Sequence, residues 1–387
     1  MTASNGTSNS TGQIPVIDIS GTTPKAEVAK QLVDAATTYG FVYIKNQGKD
    51  IPVEAIDNTF SLSKKFFSSP IEEKEPCKIT ENVLSRYIAQ RLSSANVVPK
   101  NRGWSGMHSE TLDPASQRVG DFKEAMNLGE FAQGKAQQPL PPAFADNEAD
   151  LDAFQKYCHA MMMKILTLFA IGLQIDPSSG GSTWFSSRHI GGPSGCTLRL
   201  LHYPSISPSQ DFKPEVDIRA GAHSDYGSIT LLFQRPGQPG LEIIPPESQP
   251  TNRNFGPTAA WTPVPVSPPS TESDPSPPIL VNIGDLLSHW TNGLFKSTVH
   301  RVVFPKEGRE GGEDRYSIAY FGHPVGSTVL EAVPSEMVKS LRKEGDGEGE
   351  FVKAMTADEH LMGRLKATYL GMYREGEGEV GEKVAAA

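Results

Sequence analysis

The sequence predicts a mainly β fold, a sandwich or closed barrel of short strands, with an α/β cap before it and a helix after it. Three observations predict this. Between Thr197 and Phe321, short runs rich in Val, Ile, Leu, Thr and Tyr alternate with Gly/Pro breaks, the mark of many strands joined by turns. Upstream, strand-like runs alternate with segments whose apolar residues recur at helical spacing. Downstream of Pro334 the helical spacing returns.

In chain order, residues 1–13 are rich in Ser, Thr, Asn and Gly and are expected to be disordered. Residues 14–19 read as a short strand, with Pro15 tolerable near its start. Thr23 and Pro24 supply a helix start, Val28, Leu32, Ala35, Ala36 and Tyr39 its apolar face, and Gly40 its end. A strand over 41–44 and an amphipathic helix over 53–67, stopped by Pro70, complete the cap. Residues 101–128, rich in Gly, Trp, Met and Phe, read as loops and short strands facing a pocket. Asp150 is the expected cap of the longest helix, whose stripe runs Leu151, Phe154, Cys158, Met161, Met162, Ile165 and Phe169 before Pro177. Strands are expected over 198–203, 228–233, 241–244, 279–283, 297–304 and 316–321. The proline-rich stretch 245–278 reads as an exposed loop with a strand at 261–266. Residues 344–350 read as a Gly/Glu-rich loop and 356–373, capped by Thr356, as a terminal helix before a mobile tail. The expected organisation is a tail (1–13), an N-terminal α/β region with a long support helix (14–176), a β core (177–330) and a C-terminal helical segment (331–387).

The bulk properties narrow the function. A net charge of -9 argues against a nucleic-acid partner, which selects a basic face. The longest apolar run, 165–173, is too short to cross a bilayer, and no secretory signal opens the chain. Cys77, Cys158 and Cys196 are odd in number and scattered, as expected of reduced thiols in the cytoplasm.

The chemistry lies in three pieces of sequence. His223-Ser224-Asp225 sits in a turn of small residues, and His300 lies among β-branched neighbours. Two histidines and a carboxylate can hold a metal on one face and leave the other open, the ligand set that suits non-haem Fe(II) and its reaction with O2. Arg315 and Ser317 then fall two residues apart on a predicted strand, so they share a face with Ala319 and Phe321. A buried guanidinium needs an anion. An acidic side chain would meet that need, and so would a bound dicarboxylate gripped by the arginine and the hydroxyl.

Taken together, these motifs resemble the isopenicillin N synthase-like branch of the Fe(II)/2-oxoglutarate dioxygenases. The resemblance runs through residues 222–232, 281–286, 291–293, 297–302 and 315–317 in the family's order, reaches upstream to 14–19, 40–44 and 66–74, and downstream to 356–369. It implies a double-stranded β-helix, or jelly roll, flanked by helices. It implies that His223, Asp225 and His300 bind Fe(II), that Arg315 and Ser317 bind the far carboxylate of 2-oxoglutarate, and that Tyr203 hydrogen-bonds this cosubstrate. Two residues before that tyrosine the family often has asparagine; here it is Leu201. By family position Trp104, Met107, Phe122, Met126, Leu200, Phe321 and His323 are substrate-pocket candidates, favouring an apolar or aromatic small molecule. The implied reaction consumes O2 and 2-oxoglutarate, releases succinate and CO2, and hydroxylates, desaturates or cyclises the substrate. The motif style resembles fungal members of specialised metabolism. Other readings are an Fe(II) oxidase that needs no 2-oxoglutarate, a binding protein without turnover, and a zinc hydrolase, which would need a carboxylate base that no motif supplies.

Overall fold

A computed structural model describes residues 13–79, 101–114, 116–206, 212–213, 216–250, 255, 259–305, 312–341 and 355–368. Residues 1–12 of the tail expected over 1–13, the loop over 344–350 and everything beyond residue 368 lie outside them. The cap comprises β1 (Val16–Ile17), α1 (Lys25–Thr38), β2 (Phe41–Ile44), α2 (Val53–Phe67) and the short α3 (Ile71–Lys74). There follow β3 (Gly103–Ser105), β4 (Glu124–Leu128), the hairpin β5 (Phe131–Ala132) and β6 (Lys135–Ala136), then α4 (Pro142–Ala145) and the long α5 (Glu148–Gly172). The core adds β7 (Thr197–Tyr203), β8 (Ala220–His223), β9 (Ile229–Gln234), β10 (Leu241–Ile243), β11 (Thr262–Pro263), β12 (Ile279–Ile283), α6 (Asp285–Trp290), β13 (His300–Val302) and β14 (Arg315–Gly322). Helices α7 (Glu336–Lys339) and α8 (Ala357–Thr368) close the chain.

Two sheets face each other. The major sheet runs β1-β2-β12-β9-β14-β7-β4-β3 and the minor one β11-β10-β13-β8, antiparallel except where β1 meets β2. This is the jelly roll. Pleating decides what each major strand contributes to either side. On β14, Tyr316, Ile318 and Tyr320 join the large core beneath the helices, while Arg315, Ser317, Ala319 and Phe321 line the space between the sheets. On β7, Leu198 and Leu200 face the helices, and Arg199, Leu201 and Tyr203 face inward. Helix α5 covers the outer face with Leu151, Phe154, Cys158, Met161, Met162, Ile165 and Phe169, all buried. Each such side chain contributes roughly 1.5–3 kcal/mol of burial.

Several local expectations need correction. Helix α5 starts at Glu148 with Asn147 at the cap position. Asp150 lies in its first turn, accepting from Asn58 Nδ2 at 3.1 Å. The helix stops before Pro177 because Gln174 turns left-handed, at φ 53°. The strand expected over 297–304 shortens to β13; just before it, the hydroxyls of Ser297 and Thr298 bond Asp285 Oδ1 at 2.6 Å and the Tyr39 carbonyl at 2.7 Å. The stretch 245–278 is not simply an exposed loop. Val264 and Val266 are buried, β11 pairs with β10, and the Tyr43 hydroxyl donates to the Pro265 carbonyl. Gly40 ends α1 as expected, at φ 67°; a Cβ there would lie 2.1 Å from the Lys296 carbonyl oxygen.

Candidate active site

Strands β8 and β13 pair so that His223 stands directly opposite His300, with ring centres 4.3 Å apart. Asp225 follows β8 by two residues. Its Oδ1 lies 3.9 Å from His223 Nε2 and 3.8 Å from His300 Nε2, and one ligand atom from each residue lies within 4.8 Å of the others. Hydrogen bonding decides which atoms are available. His223 Nδ1 meets the Gly221 carbonyl at 2.8 Å and His300 Nδ1 meets the Thr298 carbonyl at 3.1 Å. A carbonyl only accepts, so both Nδ1 atoms carry the proton and both Nε2 lone pairs face the cluster. Asp225 Oδ2 accepts from Thr230 Oγ1 at 2.6 Å and Asn282 Nδ2 at 2.7 Å, which leaves Oδ1 free.

Burial pushes the His223 imidazolium down to about 3, with His300 adding to the effect. Burial works the other way on Asp225, but His300, His223 and the two hydrogen bonds hold its carboxyl below the usual range. Neutral imidazoles and an ionised carboxylate are the protonation states a divalent metal requires. The donor set therefore fits a hard-to-borderline cation with open positions, Fe(II) among them.

Arg315 is 1% exposed. Its Nε donates to the Gln238 carbonyl at 3.2 Å, and its terminal nitrogens to Ser317 Oγ at 3.4 Å and Gln234 Oε1 at 3.0 Å. Its guanidinium carbon sits 4.9 Å from the Tyr203 ring centre. Among the described residues no carboxylate lies within ion-pair reach of it. The acidic-side-chain explanation is thus without a partner, and a bound carboxylate fits the guanidinium, the Ser317 hydroxyl and Tyr203.

Two chambers meet here. The inner one holds Arg315, Ser317, Tyr203, Leu201, Lys123 and His300 among its walls. The outer one holds Asn101, Arg102, Tyr226, His323, Leu361 and Leu365. His223, Asp225, Leu112, Arg199 and Phe321 line both. Asp225 is the only carboxylate in either wall among the described residues, and it belongs to the candidate metal cluster, so neither wall offers the separate carboxylate base that a hydrolase would need.

The other pocket candidates separate. Phe321 lines both chambers and His323 the outer one. Trp104, Met126 and Leu200 belong to the core under the helices, a correction with a simple cause. Leu200 is one residue out of phase with Tyr203 on β7, and Met126 pairs with both Leu200 and Trp104 across the sheet, so all three point the same way. Trp104 Nε1 bonds Glu124 Oε2 at 2.9 Å. Phe122 packs on His108, Phe212 and Phe304, and Met107 is half-buried in a turn; neither lines a chamber.

A family profile described as the N-terminal region of non-haem dioxygenases in morphine synthesis matches residues 14–147, and one for the 2OG-Fe(II) oxygenase superfamily matches 195–324. The 2-oxoglutarate-Fe(II) type oxidoreductase ppzD of Metarhizium majus is 31% identical over 88% of this chain and 89% of its own. The chain belongs to the 2-oxoglutarate- and Fe(II)-dependent dioxygenases. The dioxygenase is also 37% identical to the UPF0676 protein C1494.01 of Schizosaccharomyces pombe, over 92% of this chain and 93% of that one. Among solved structures it resembles full-length Neurospora crassa T7H in complex with alpha-KG and thymine, with a TM-score of 0.68 and 30% identity over 92% of this chain and 97% of that one. Its cofactors are Fe(II), 2-oxoglutarate and O2, and no helix among the described residues is long and apolar enough to cross a membrane.

The residues that support Asp225 were not foreseen. Asn282→Ala or Thr230→Val removes one of its two donors, and we expect either to weaken Fe(II) retention roughly 10- to 100-fold, the usual effect of an outer-shell partner. Competition with a colorimetric chelator measures this; unchanged affinity in both variants would show that Asp225 needs no such support.

Proposed function

We propose that the dioxygenase binds Fe(II) through His223 Nε2, His300 Nε2 and Asp225 Oδ1, binds 2-oxoglutarate in the inner chamber through Arg315, Ser317 and Tyr203, and hydroxylates a small planar metabolite in the outer chamber. The observation that carries this reading is the pair of chambers that share His223 and Asp225 as a common wall. Fe(II), with 2-oxoglutarate and O2, supplies the oxidising power, the cosubstrate leaving as succinate and CO2. The chain's own residues position the partners. Arg315 and Ser317 grip the far carboxylate, so the keto acid points at the metal. Phe321 and Tyr226 offer aromatic walls to a flat ring, while Arg199, Asn101 and His323 offer polar groups to its edge. His323 is held neutral, its imidazolium pushed down to about 3 by burial and by His360, so it can accept or donate a single hydrogen bond. The thymine bound to the similar T7H is a ring of this kind and supports the choice. Buried, unpaired Cys77, Cys158 and Cys196 support a cytoplasmic setting, and the acidic chain supports no nucleic-acid role.

Anaerobic titration of the Fe(II)-loaded protein with 2-oxoglutarate tests the cosubstrate half: a visible charge-transfer band should grow in, and its absence despite bound iron would favour an oxidase that needs no 2-oxoglutarate. Thymine and related small rings, screened for O2-dependent succinate release, test the other half.

The outer wall depends on α8. Leu361, Met362 and Leu365 cluster with Tyr226, and Arg364 ties the helix down through Asp285 and a 3.3 Å bond to Ser224 Oγ. Arg364→Met should raise the KM for the organic substrate several-fold and leave the 2-oxoglutarate affinity unchanged. Equal losses for both ligands would mean that the clasp serves the metal loop instead of the wall.

A further inference from the structure

The inner chamber contains an ammonium group that the proposed roles leave unused. Lys123 is 4% exposed. It lies one residue before β4, where Glu124 pairs with His202 and Ala125 with Leu201, so it shares the inward face with Ala125. Its Nζ donates to Asp121 Oδ2 and lies 3.2 Å from Glu110 Oε2. An ammonium has three N–H donors, and among the described residues the third has no protein acceptor. Glu110 also holds Arg199, at 2.6 and 2.7 Å, so two cations and two carboxylates balance and Lys123 brings no surplus charge. What it brings is a fixed donor. Burial alone would discharge it, but Asp121 and Glu110 keep the ammonium charged.

Its neighbours indicate where the donor is used. Glu110 draws Nζ towards Arg199, which pairs with Ala319 on β14. Ala319 lies two residues beyond Ser317 and four beyond Arg315, towards Phe321, which lines the wall shared with the metal ligands. Lys123 lines the same chamber as His223, His300, Tyr203 and Arg315, so its ammonium faces the space between the metal cluster and the arginine. Leu201, on the same inward face, presents only methyl groups to this part of the chamber. With Arg315 and Ser317 assigned to one end of a dicarboxylate, the lysine ammonium is the cation of this chamber placed to serve the other.

We propose that Lys123 hydrogen-bonds the metal-binding carboxylate of 2-oxoglutarate, fixing the keto-acid end as Arg315 fixes the far end. This rests on the proposed cosubstrate site and adds a residue to it.

The test compares two keto acids on the Fe(II)-loaded protein under anaerobic conditions, using the charge-transfer band as the readout. 2-Oxoglutarate has both ends; 2-oxobutyrate has the keto-acid end alone. Lys123→Met should weaken both by a similar factor, about 30-fold for a lost charge-assisted hydrogen bond, and Lys123→Arg should recover part of the loss. Arg315→Ala should weaken 2-oxoglutarate alone. Because Lys123→Met leaves Asp121 without its cation, the Lys123→Met/Asp121→Asn double variant repeats the comparison in a charge-balanced background. If that variant binds iron and both keto acids normally, the proposal is overturned. If it loses 2-oxoglutarate but keeps 2-oxobutyrate, Lys123 serves the far carboxylate and the proposal is equally overturned. A missing band in the unaltered protein would instead count against the cosubstrate site itself.

Discussion

Asp225→Ala is expected to strip the protein of iron and abolish O2-dependent succinate formation. The substitution removes the only carboxylate from the proposed ligand cluster, whose other two members are histidines. It also leaves the Thr230 hydroxyl and the Asn282 amide without their shared acceptor. The loss of metal affinity should exceed the roughly 100-fold limit associated with outer-shell partners, since a direct ligand and its charge are both gone. Iron content after desalting and succinate release under air measure the two effects. Retention of stoichiometric iron would show that the three side chains are not the metal's holders.

Arg315→Met should separate stability from ligand binding. Burial pulls the arginine's pKa down, and in the absence of an anion the guanidinium is held by neutral acceptors alone. An apolar chain of similar length removes that desolvation cost but leaves the Gln238 carbonyl and Gln234 Oε1 without their donor, so the ligand-free protein should melt close to the parent. The ligand response should vanish. A ligand at 100 times its Kd stabilises by about 2.7 kcal/mol, and that increment with 2-oxoglutarate should be present in the parent and absent from the variant. A variant that still gains thermal stability from millimolar 2-oxoglutarate would remove Arg315 from the cosubstrate site.

Much of this architecture can be read in the chain because it rests on periodicity. The alternation over residues 315–321 places Arg315, Ser317, Ala319 and Phe321 on one face, and β14 turns that face inward. The same rule could have excluded Leu200: it sits an odd number of residues from Tyr203, so the two cannot share a side of β7. Leu201 and Arg199 are in phase with Tyr203, and they are the residues that line the chambers. Trp104 and Met126 were less tractable. Their direction depends on which residue of β4 meets which of β7, a register that no local pattern states. The partners of Asp225 illustrate a second limit. Thr230 and Asn282 lie in runs that read as apolar strands, where one polar residue suggests only the end of a strand. Their role emerges when β9 and β12 lie side by side, Asn282 opposite Thr230. Lys123 was hidden for a related reason: a lysine beside acidic residues looks like ordinary surface until Glu110, Asp121 and Arg199 are folded around it.

Part of the outer chamber's wall comes from outside the core strands. Asn101 and Arg102 precede β3, and Leu361 and Leu365 come from α8, far from the strands that carry His223, Asp225 and His300. Apart from the Arg364 contact with Ser224, these segments carry none of the proposed iron or cosubstrate residues. A lineage could acquire a new substrate by altering a few positions in these peripheral segments, while the strands proposed to hold the iron and the cosubstrate keep their sequence. The same separation makes α8 the place to begin when the enzyme is to be redirected by design.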